Sequence, residues 1–491
     1  KYRRQFPAAM SAGLYTEAYN GTEGAADDGT SAGVANMNVW YESGDIAWMC
    51  TSSALVLLMI PGVGFFYAGL ARRKSALSLM LMIMLAHSVA TVQWFFWGYS
   101  LTFSQTGNAF LGNMDYIGFR NVVAQPVGAI PEIMFAIYQG LFAAITPAIA
   151  IGAIADRGRI LPAMVFVFIW ATVVYDPIAY WTWNANGWLL ELGSLDFAGG
   201  TPVHINSGVA AVAYSLMLGK RSGYDRLHGL PYRPHNVTNV LLGTVFLWVG
   251  WFGFNGGSTL ASNIRTPVVL FVTNLAACIS GLTWVLLDYR LEKKWSTIGF
   301  CSGAISGLVV ITPAAGYVPI WSVPVFGIVG GAACNFATKL KFLVGIDEAL
   351  DVFAVHGAGG IVGNLLTGIF AADYMAALDG ATEIDGGWIQ QNYVQFGYQL
   401  AGTVAGIAWC FVMTCLICFV LNLIPGLSLR VNIDEEELGL DDVQCGEFAY
   451  DYVEVTRHVS DILTGQDPHA GLAGTSAHSS EPEKAAPAAA A

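Results

Sequence analysis

Long apolar segments, one after another along most of the chain, constrain its fold more than any other feature. A helix of about 17–25 predominantly apolar residues is long enough to cross the hydrocarbon core of a bilayer. Such segments lie near residues 47–69, 76–102, 128–153, 160–180, 202–219, 237–256, 266–288, 297–313, 319–337, 349–372 and 393–424. We therefore expect an all-α polytopic membrane protein with eleven transmembrane helices.

Charged side chains are too few for a soluble protein of this size. Only 12% of the 491 residues are charged, whereas soluble domains carry about 25%. The formal charge of −13 is concentrated at the C-terminus, where residues 431–491 hold 13 acidic residues against Arg457 and Lys484. The remaining body is nearly neutral. It lacks the basic surface that nucleic-acid binding requires, so we expect no nucleic-acid partner.

The basic residues are distributed unequally between the predicted loops. The loops after odd-numbered spans, together with the C-terminal tail, hold 17 Lys and Arg residues, and the other side holds five. Positive charge marks the cytoplasmic side of a membrane protein. The sequence thus predicts a multi-pass plasma-membrane protein with its N-terminus outside and its C-terminus inside.

Two short motifs outside the predicted spans are candidate modification sites. Asn20-Gly21-Thr22 is a glycosylation motif in the predicted extracellular segment. Arg457-His-Val-Ser460 resembles a basophilic kinase site, and a phosphate on Ser460 would be repelled by its acidic neighbours. The predicted organisation is an extracellular segment (1–46), a membrane domain (47–425), a cytoplasmic regulatory tail (426–464) and a disordered C-terminus (465–491).

Histidines within the spans are the strongest functional candidates, because an ionisable group in a bilayer is costly. His204 lies in Thr201-Pro-Val-His-Ile-Asn-Ser-Gly208 and His356 in Val355-His-Gly-Ala-Gly-Gly360. Each begins the last helix of a group of five, which suggests an internal repeat with the site at its interface. The two imidazoles would pass a proton or hold a small polar solute, or each would be a buried group with one hydrogen bond. A metal site is disfavoured because no third His or Cys lies at ligand spacing.

Aromatic residues near the predicted span ends supply a second set of candidates. Trp181, Trp183 and Trp188 lie just beyond the fourth span and are typical of an interfacial belt, although one indole over a pore mouth would bind a small cation. Phe142 and Phe254, both next to glycines, either pack in the core or close a dewetted constriction.

An acidic residue precedes the first histidine in the sequence. Asp196, just before Gly199-Gly200, is either a cation ligand or a cap for the helix that follows. The glycine pair favours the cap.

Several strings taken together resemble the Amt/MEP/Rh family of ammonium transporters, and its fungal permeases above all. They are Asp196-Phe-Ala-Gly-Gly-Thr-Pro-Val-His204, Gly253-Phe-Asn-Gly-Gly-Ser258, Thr312-Pro-Ala-Ala-Gly316, Asp351-Val-Phe-Ala-Val-His-Gly357 and, in the tail, Glu437-Leu-Gly-Leu-Asp441. The resemblance covers residues 47–452.

This resemblance implies an eleven-helix bundle with an inverted five-plus-five repeat, assembled as a homotrimer with one pore per subunit. It implies transport of ammonium or methylammonium, with no cofactor and no enzymatic activity. It also implies an external cation site formed by Trp183, Ser258 and Phe142, with Tyr138 nearby and Asp196 as its support. Phe142 and Phe254 would form the gate below this site. His204 and His356 would line the pore, and Thr312 would lie beyond them.

A sensor role is compatible with transport. The retained His204 resembles the high-affinity type with two pore histidines, which in fungi is often linked to nutrient sensing, so a signalling partner or kinase at the tail is expected. Two alternatives to net ammonium transport remain open. One is a neutral NH3 channel. The other is an intramembrane enzyme that uses the histidines, but the sequence offers no third catalytic side chain.

Overall fold

The computed structural model describes residues 37–224 and 233–450, and helices dominate this part of the chain. The helices of eleven or more residues are α1 (Ser43–Leu70), α2 (Ala76–Gln93), α3 (Glu132–Ala150), α4 (Ile160–Trp170), α5 (Asn206–Leu218), α6 (Val237–Gly256), α7 (Arg265–Glu292), α8 (Thr297–Ile311), α9 (Val323–Ala337), α10 (Ala358–Phe370) and α11 (Val394–Leu423).

Short helical pieces extend several of these helices. Wide π-helical turns at Trp94–Gly98 and Ala171–Tyr175 continue α2 and α4 into the short helices Tyr99–Phe103 and Asp176–Trp183, and two more, at Gly200–Ile205 and Phe353–Gly357, lead into α5 and α10. The other short α-helices are Trp188–Leu192, Leu340–Val344, Asp373–Ala376 and Ile433–Leu438.

Nine helical segments of the described chain are long and apolar enough to cross a membrane. The predicted spans near 202–219 and 297–313 correspond to α5, with the π-helical turn before it, and to α8, and neither is among these nine segments. The structure therefore agrees with a helical polytopic membrane protein, and the count of eleven spans stays a prediction.

Two local predictions differ from the structure. The third span does not begin at residue 128, because Pro126–Val127 and Ile130–Pro131 pair as a two-stranded antiparallel hairpin before α3. The fourth helical segment runs on to Trp183, beyond the predicted end at residue 180. Trp181 and Trp183 therefore lie on the helix itself. Pro177 lies where the π-helical turn Ala171–Tyr175 passes into this helix, and the helical segment continues through it.

Glycines allow the two histidine-bearing segments to cross closely. A Cβ on Gly208 would lie 2.3 Å from the backbone nitrogen of Gly357, and one on Gly360 would lie 2.8 Å from the carbonyl oxygen of Gly200. Only glycine fits at such contacts, and small residues at helix interfaces are typical of membrane bundles. The crossing brings the starts of α5 and α10 together in the centre of the bundle.

The chain after α11 returns to the ends of the bundle helices. Its backbone pairs with the loop between α3 and α4, where Val431 N donates to Arg157 O at 3.1 Å and Arg159 N donates to Leu429 O at 3.0 Å. The helix Ile433–Leu438 then begins with a capping box between Asn432 and Glu435. We call the side of the bundle that these residues cover the tail face.

Candidate functional site

The outer end of the site contains an indole ring and a hydroxyl group around a pair of stacked rings. Trp183 Nε1 donates to the Asp196 carbonyl oxygen at 3.1 Å, which fixes the indole nearly perpendicular to the Phe142 ring, at a centroid distance of 6.2 Å. The Ser258 hydroxyl donates to Phe254 O at 2.9 Å. Because its proton is engaged there, its lone pairs are free to accept from a cationic N–H donor.

Tyr138 supports this end of the site from below. Its hydroxyl lies 2.7 Å from Phe254 O and 3.3 Å from Ser258 Oγ, and its ring lies 4.9 Å from that of Phe142. The residue is fully buried. Its contacts make it a support for the Ser258 hydroxyl and for the Phe142 ring.

Two stacked phenyl rings separate the outer end from the interior. The rings of Phe142 and Phe254 lie 4.1 Å apart, inclined by 22°, and both are buried. No polar atom belongs to either ring, so a hydrated ion would have to lose its water to pass between them. The structure thus brings together the five residues predicted for the mouth and gate: Tyr138, Phe142, Trp183, Phe254 and Ser258.

The two histidines meet directly below these rings. Nδ1 of His204 lies 3.3 Å from Nδ1 of His356, and His204 also stacks on Phe254 at 5.8 Å and on Trp251 at 5.3 Å. A hydrogen bond between two Nδ1 atoms requires that one carries the proton and the other does not. The pair therefore holds a single shared proton at this contact. Nε2 of His204 is buried and has no hydrogen-bond partner among the described residues.

Asp196 lies beside this arrangement without entering it. Its carboxylate accepts from the backbone N–H groups of Gly199 and Gly200 at Oδ1 and of Thr201 at Oδ2, at 2.8, 2.7 and 2.7 Å. This is the geometry of a cap on the π-helical turn that carries His204. Since the Asp196 carbonyl also holds Trp183, one residue positions both the outer indole and the inner imidazole.

Thr312 contacts the site through a residue that the sequence analysis missed. Its hydroxyl accepts from Trp251 Nε1 at 2.9 Å and donates to Leu308 O at 2.7 Å. Trp251 in turn stacks on His204. Thr312 therefore positions Trp251. The signal in the sequence was the Trp251-Phe-Gly-Phe254 spacing, which puts Trp251 one helical turn before Phe254.

A narrow cavity of about 20 Å³ leads from His356 towards the tail face. That volume admits about one water-sized molecule. Its polar lining residues are His356, Tyr67 and Asp351, and its apolar lining is Met59, Val63, Phe66, Ile145, Ile149, Leu247, Trp251, Ile305, Leu350, Val352 and Val355. The site is thus a line of contacts from Trp183, through the rings and the histidines, to Asp351.

A second buried carboxylate repeats the position of Asp196. Glu348 lies eight residues before His356, as Asp196 lies eight before His204. Its carboxylate accepts from Leu350 N at 3.0 Å and Phe353 N at 3.3 Å, at the start of the π-helical turn that carries His356. The equal spacing of eight residues between each carboxylate and its histidine could have identified Glu348 from the sequence.

An ion-pair network joins the loops of the tail face. Arg221 binds Asp347 at 2.8 Å and Asp156 at 2.9 Å, and Arg72 lies 3.3 Å from Asp156. Burial alone would raise the pKa values of Asp156 and Asp347, but the guanidinium groups of Arg221 and its neighbours outweigh it and lower both pKa values below their usual range. Burial lowers the pKa of Arg157 to about 10.

The tail takes part in this network. Glu436 lies 2.7 Å from Arg430 and 3.5 Å from Arg72 and accepts from Ser222 N at 2.7 Å. Asp441 accepts from Leu77 N at 3.1 Å and Ser78 N at 2.7 Å, at the free N-terminus of α2. The tail is thus held by its own carboxylates, which contact the side chain of Arg72 and backbone N–H groups of α2 and of the loop after α5.

Two predicted modification sites lie outside the described residues. These are Asn20 and Ser460. Within residues 37–224 and 233–450, no group of three or more His, Cys, Asp or Glu side chains is arranged to hold a metal ion.

Comparison with known proteins decides the family. The sequence model of the Ammonium Transporter Family matches residues 47–450. The chain belongs to this family. The resemblance inferred from the motifs is therefore confirmed. The prediction that the chain is a multi-pass membrane protein is confirmed as well.

Relatives within the family are similar along most of their length. Ammonium transporter 1 of Schizosaccharomyces pombe is 53% identical over 441 residues, which cover 89% of this chain and 88% of that protein. Ammonium transporter MEP2 of Saccharomyces cerevisiae is 51% identical over 441 residues, 88% of each. The crystal structure of Candida albicans Mep2 superposes with a TM-score of 0.80 at 50% identity and covers 91% of this chain and 96% of that one.

Proposed function

We propose that this protein imports ammonium across the plasma membrane through a pore that runs from Trp183 to Asp351. The observation that carries the proposal is the His204–His356 pair, with Nδ1 atoms 3.3 Å apart, directly below two stacked phenyl rings. Family membership and relatives named ammonium transporters support the same substrate.

Recruitment of the cation is the first step. NH4+ loses part of its hydration shell at the mouth, and the ring faces of Trp183 and Phe142 offset this cost by cation–π attraction of about 0.5–2 kcal/mol. The Ser258 lone pairs accept one N–H bond. Methylammonium keeps the positive charge and three N–H donors, so it can make the same contacts.

Deprotonation follows, because a full charge beyond the phenyl rings is expensive in the bilayer. NH3 passes between Phe142 and Phe254 and along the histidines, while the proton moves separately. The imidazoles are the relay in this proposal. Nε2 of His204, which is buried and has no hydrogen-bond partner among the described residues, accepts the proton that NH4+ releases, and the Nδ1 proton of His204 passes to Nδ1 of His356. Nε2 of His356 then returns a proton to NH3 at the far end. Net movement is then that of NH4+.

The remaining architecture completes the proposal. The nine long segments together with α5 and α8 make eleven spans, with the tail face in the cytoplasm. The equal placement of His204 and His356, each after a carboxylate and a π-helical turn, supports an inverted five-plus-five repeat. A homotrimer with one pore per subunit is the assembly implied by the family.

Regulation through the tail is proposed as well. The contacts of Glu436 with Ser222 and of Asp441 with the start of α2 support a cytoplasmic regulatory tail that follows the membrane domain. We propose that a kinase acting on Ser460 weakens this contact, that Asn20 is glycosylated outside the cell, and that the protein serves as an ammonium sensor.

Uptake of labelled methylammonium by cells lacking other ammonium transporters tests the function. The wild type is expected to take up methylammonium and to exclude K+, and His204→Ala is expected to change both uptake and selectivity. His87→Ala, which changes a histidine of α2 outside the site, is the matched control. Unchanged uptake and selectivity in His204→Ala would contradict the pore assignment.

A neutral NH3 channel is the second candidate, because the stacked rings and the apolar cavity favour an uncharged molecule. Current measurements on the purified protein in liposomes separate the two. An ammonium-evoked current is expected for the split route, and transport without current would support the gas channel.

A further inference from the structure

An amine contacts Asp351, which lines the tail-side end of the cavity. Lys341 Nζ lies 2.7 Å from Asp351 Oδ1 and donates to the Glu348 carbonyl oxygen at 2.9 Å. Asp351 is also one of the residues that line the cavity below His356. A carboxylate and a carbonyl thus hold a primary ammonium group at the place where the pore ends.

This ammonium group has the chemistry of the proposed substrate. The end of a lysine side chain, a methylene carbon bearing NH3+, matches methylammonium in charge, size and number of N–H donors. A site that binds one will bind the other when the lysine side chain moves away. The structure therefore contains a tethered analogue of the substrate, bound to the oxygen atoms that a free cation would use.

The oxygen atoms are held more rigidly than the lysine. The buried Glu348 carboxylate accepts from Leu350 N and Phe353 N and so fixes the turn between these residues. Within that turn Asp351 adopts a left-handed conformation with φ of 58°. Lys341, in contrast, reaches the site from the short helix Leu340–Val344 on four rotatable methylene groups. The oxygen pair persists when the amine leaves.

We propose that Asp351 and the Glu348 carbonyl form an inner cation site for ammonium and methylammonium, and that Lys341 occupies this site as a tethered competitor. The site lies opposite the mouth, at the cytoplasmic end of the pore. Lys341 lowers the affinity of the site for cytoplasmic ammonium and so favours release after import. This inference rests on the proposed function.

Trans-inhibition of uptake measures the affinity of the inner site. Right-side-out proteoliposomes are loaded with graded concentrations of unlabelled methylammonium, and the initial uptake of labelled methylammonium is followed. In Lys341→Met, half-inhibition is expected at an internal concentration at least fivefold lower than in the wild type. The KM for external methylammonium is expected to be unchanged.

Removal of the Asp351 carboxylate is expected to reverse the gain in affinity for internal methylammonium. The double variant Lys341→Met/Asp351→Asn is expected to require at least fivefold more internal methylammonium than Lys341→Met. Lys339→Met removes a neighbouring, exposed lysine and is expected to behave as the wild type. If Lys341→Met fails to fold, Lys341→Gln is expected to give the same shift, since its neutral and shorter side chain leaves both oxygen atoms to the cation.

Two results would overturn the inner site. One is half-inhibition in Lys341→Met or Lys341→Gln at the wild-type concentration. The other is an equal shift of internal half-inhibition and external KM, which would show a structural effect on the whole pore. Failure of the proposed function is separate, because the wild-type protein would then take up no methylammonium at all.

Discussion

At the scale of single residues, the mouth depends on side chains whose hydrogen bonds leave one particular surface free. Trp183 uses its N–H on the Asp196 carbonyl, so its ring face remains for a cation. Ser258 donates its proton to Phe254 O, so its lone pairs remain. Both residues were predicted from the family resemblance, but which surface each would leave free depends on the hydrogen bonds of the folded chain.

Trp183→Leu tests the ring face. Loss of a cation–π contact of about 0.5–2 kcal/mol is expected to raise the KM for external methylammonium about 2- to 30-fold and to leave the maximal rate nearly unchanged. Labelled uptake across a concentration series gives both parameters. Trp188→Leu is the matched control, since Trp188 packs on Trp181, 5.9 Å away. Equal effects of the two changes would show that Trp183 acts only in packing.

At the scale of elements, the starts of α5 and α10 determine where the histidines meet. Each is preceded by a π-helical turn whose first N–H groups are capped by a carboxylate eight residues before the histidine, Asp196 or Glu348. The sequence analysis predicted the cap at Asp196 and missed Glu348, because the family motif that it used began at Asp351. The close crossing itself could not be predicted, since glycines are common in many membrane helices.

Gly208→Ala tests the crossing. Its Cβ would lie 2.3 Å from Gly357 N, a contact that backbone movement must relieve, so we expect a loss of stability of at least about 3 kcal/mol and little folded protein. Gly397→Ala is the control, because its Cβ would have no neighbour within 4 Å and alanine favours a helix. Size-exclusion profiles and thermal unfolding in detergent measure both. A folded Gly208→Ala protein with wild-type uptake would contradict the crossing.

Asp441→Asn tests the contact between the tail and α2. The carboxylate caps Leu77 N and Ser78 N from outside the helix, and its loss is expected to weaken tail docking by about 0.5–2 kcal/mol. Hydrogen exchange of residues 77 and 78 and protease cleavage between α11 and the tail should both accelerate. Asp442→Asn changes the adjacent exposed carboxylate and should leave both rates at the wild-type value.

At the scale of the whole molecule, ion pairs on the tail face join loops that are far apart in the sequence. Asp347 accepts from Arg221 through two side-chain nitrogens and the backbone N–H, at 2.8–2.9 Å. The charge count of the sequence predicted an excess of basic residues on this face. It did not predict that two of these bases, Arg157 and Arg221, are buried, because burial depends on how the loops pack.

Asp347→Asn tests this network through its pH dependence. The change leaves the buried Arg157, whose guanidinium lies 3.5 Å from Asp347, without its carboxylate partner and leaves Arg221 with Asp156 alone. Breaking such a buried ion pair is expected to cost about 3–5 kcal/mol at pH 7. The folded pKa of Asp347 is lowered. Its contribution is therefore complete above the unfolded pKa of about 3.9 and is lost as the pH falls through the folded value.

Thermal unfolding of both proteins between pH 7 and pH 3 measures this effect. The difference between wild type and Asp347→Asn should stay constant down to about pH 4 and shrink only below it. Glu191→Gln, an exposed carboxylate, should differ from the wild type by less than about 0.5 kcal/mol at any pH. A difference that shrinks already near pH 6 would contradict the lowered pKa.

The sequence by itself determined that this chain is a helical membrane protein of the ammonium transporter family, since apolar length and local motifs are properties of short segments. It also predicted most residues of the candidate site: several lie in such motifs, and Tyr138, Phe142 and Trp183 follow from the family resemblance. Only the tertiary structure decided that His204 and His356 share a hydrogen bond, that Trp251 links Thr312 to His204, and that Lys341 contacts Asp351 beside the cavity. The first two contacts join helices that are far apart along the chain, and their geometry is set by the packing of whole helices against one another. The third depends on how the loop between α9 and α10 folds back on itself.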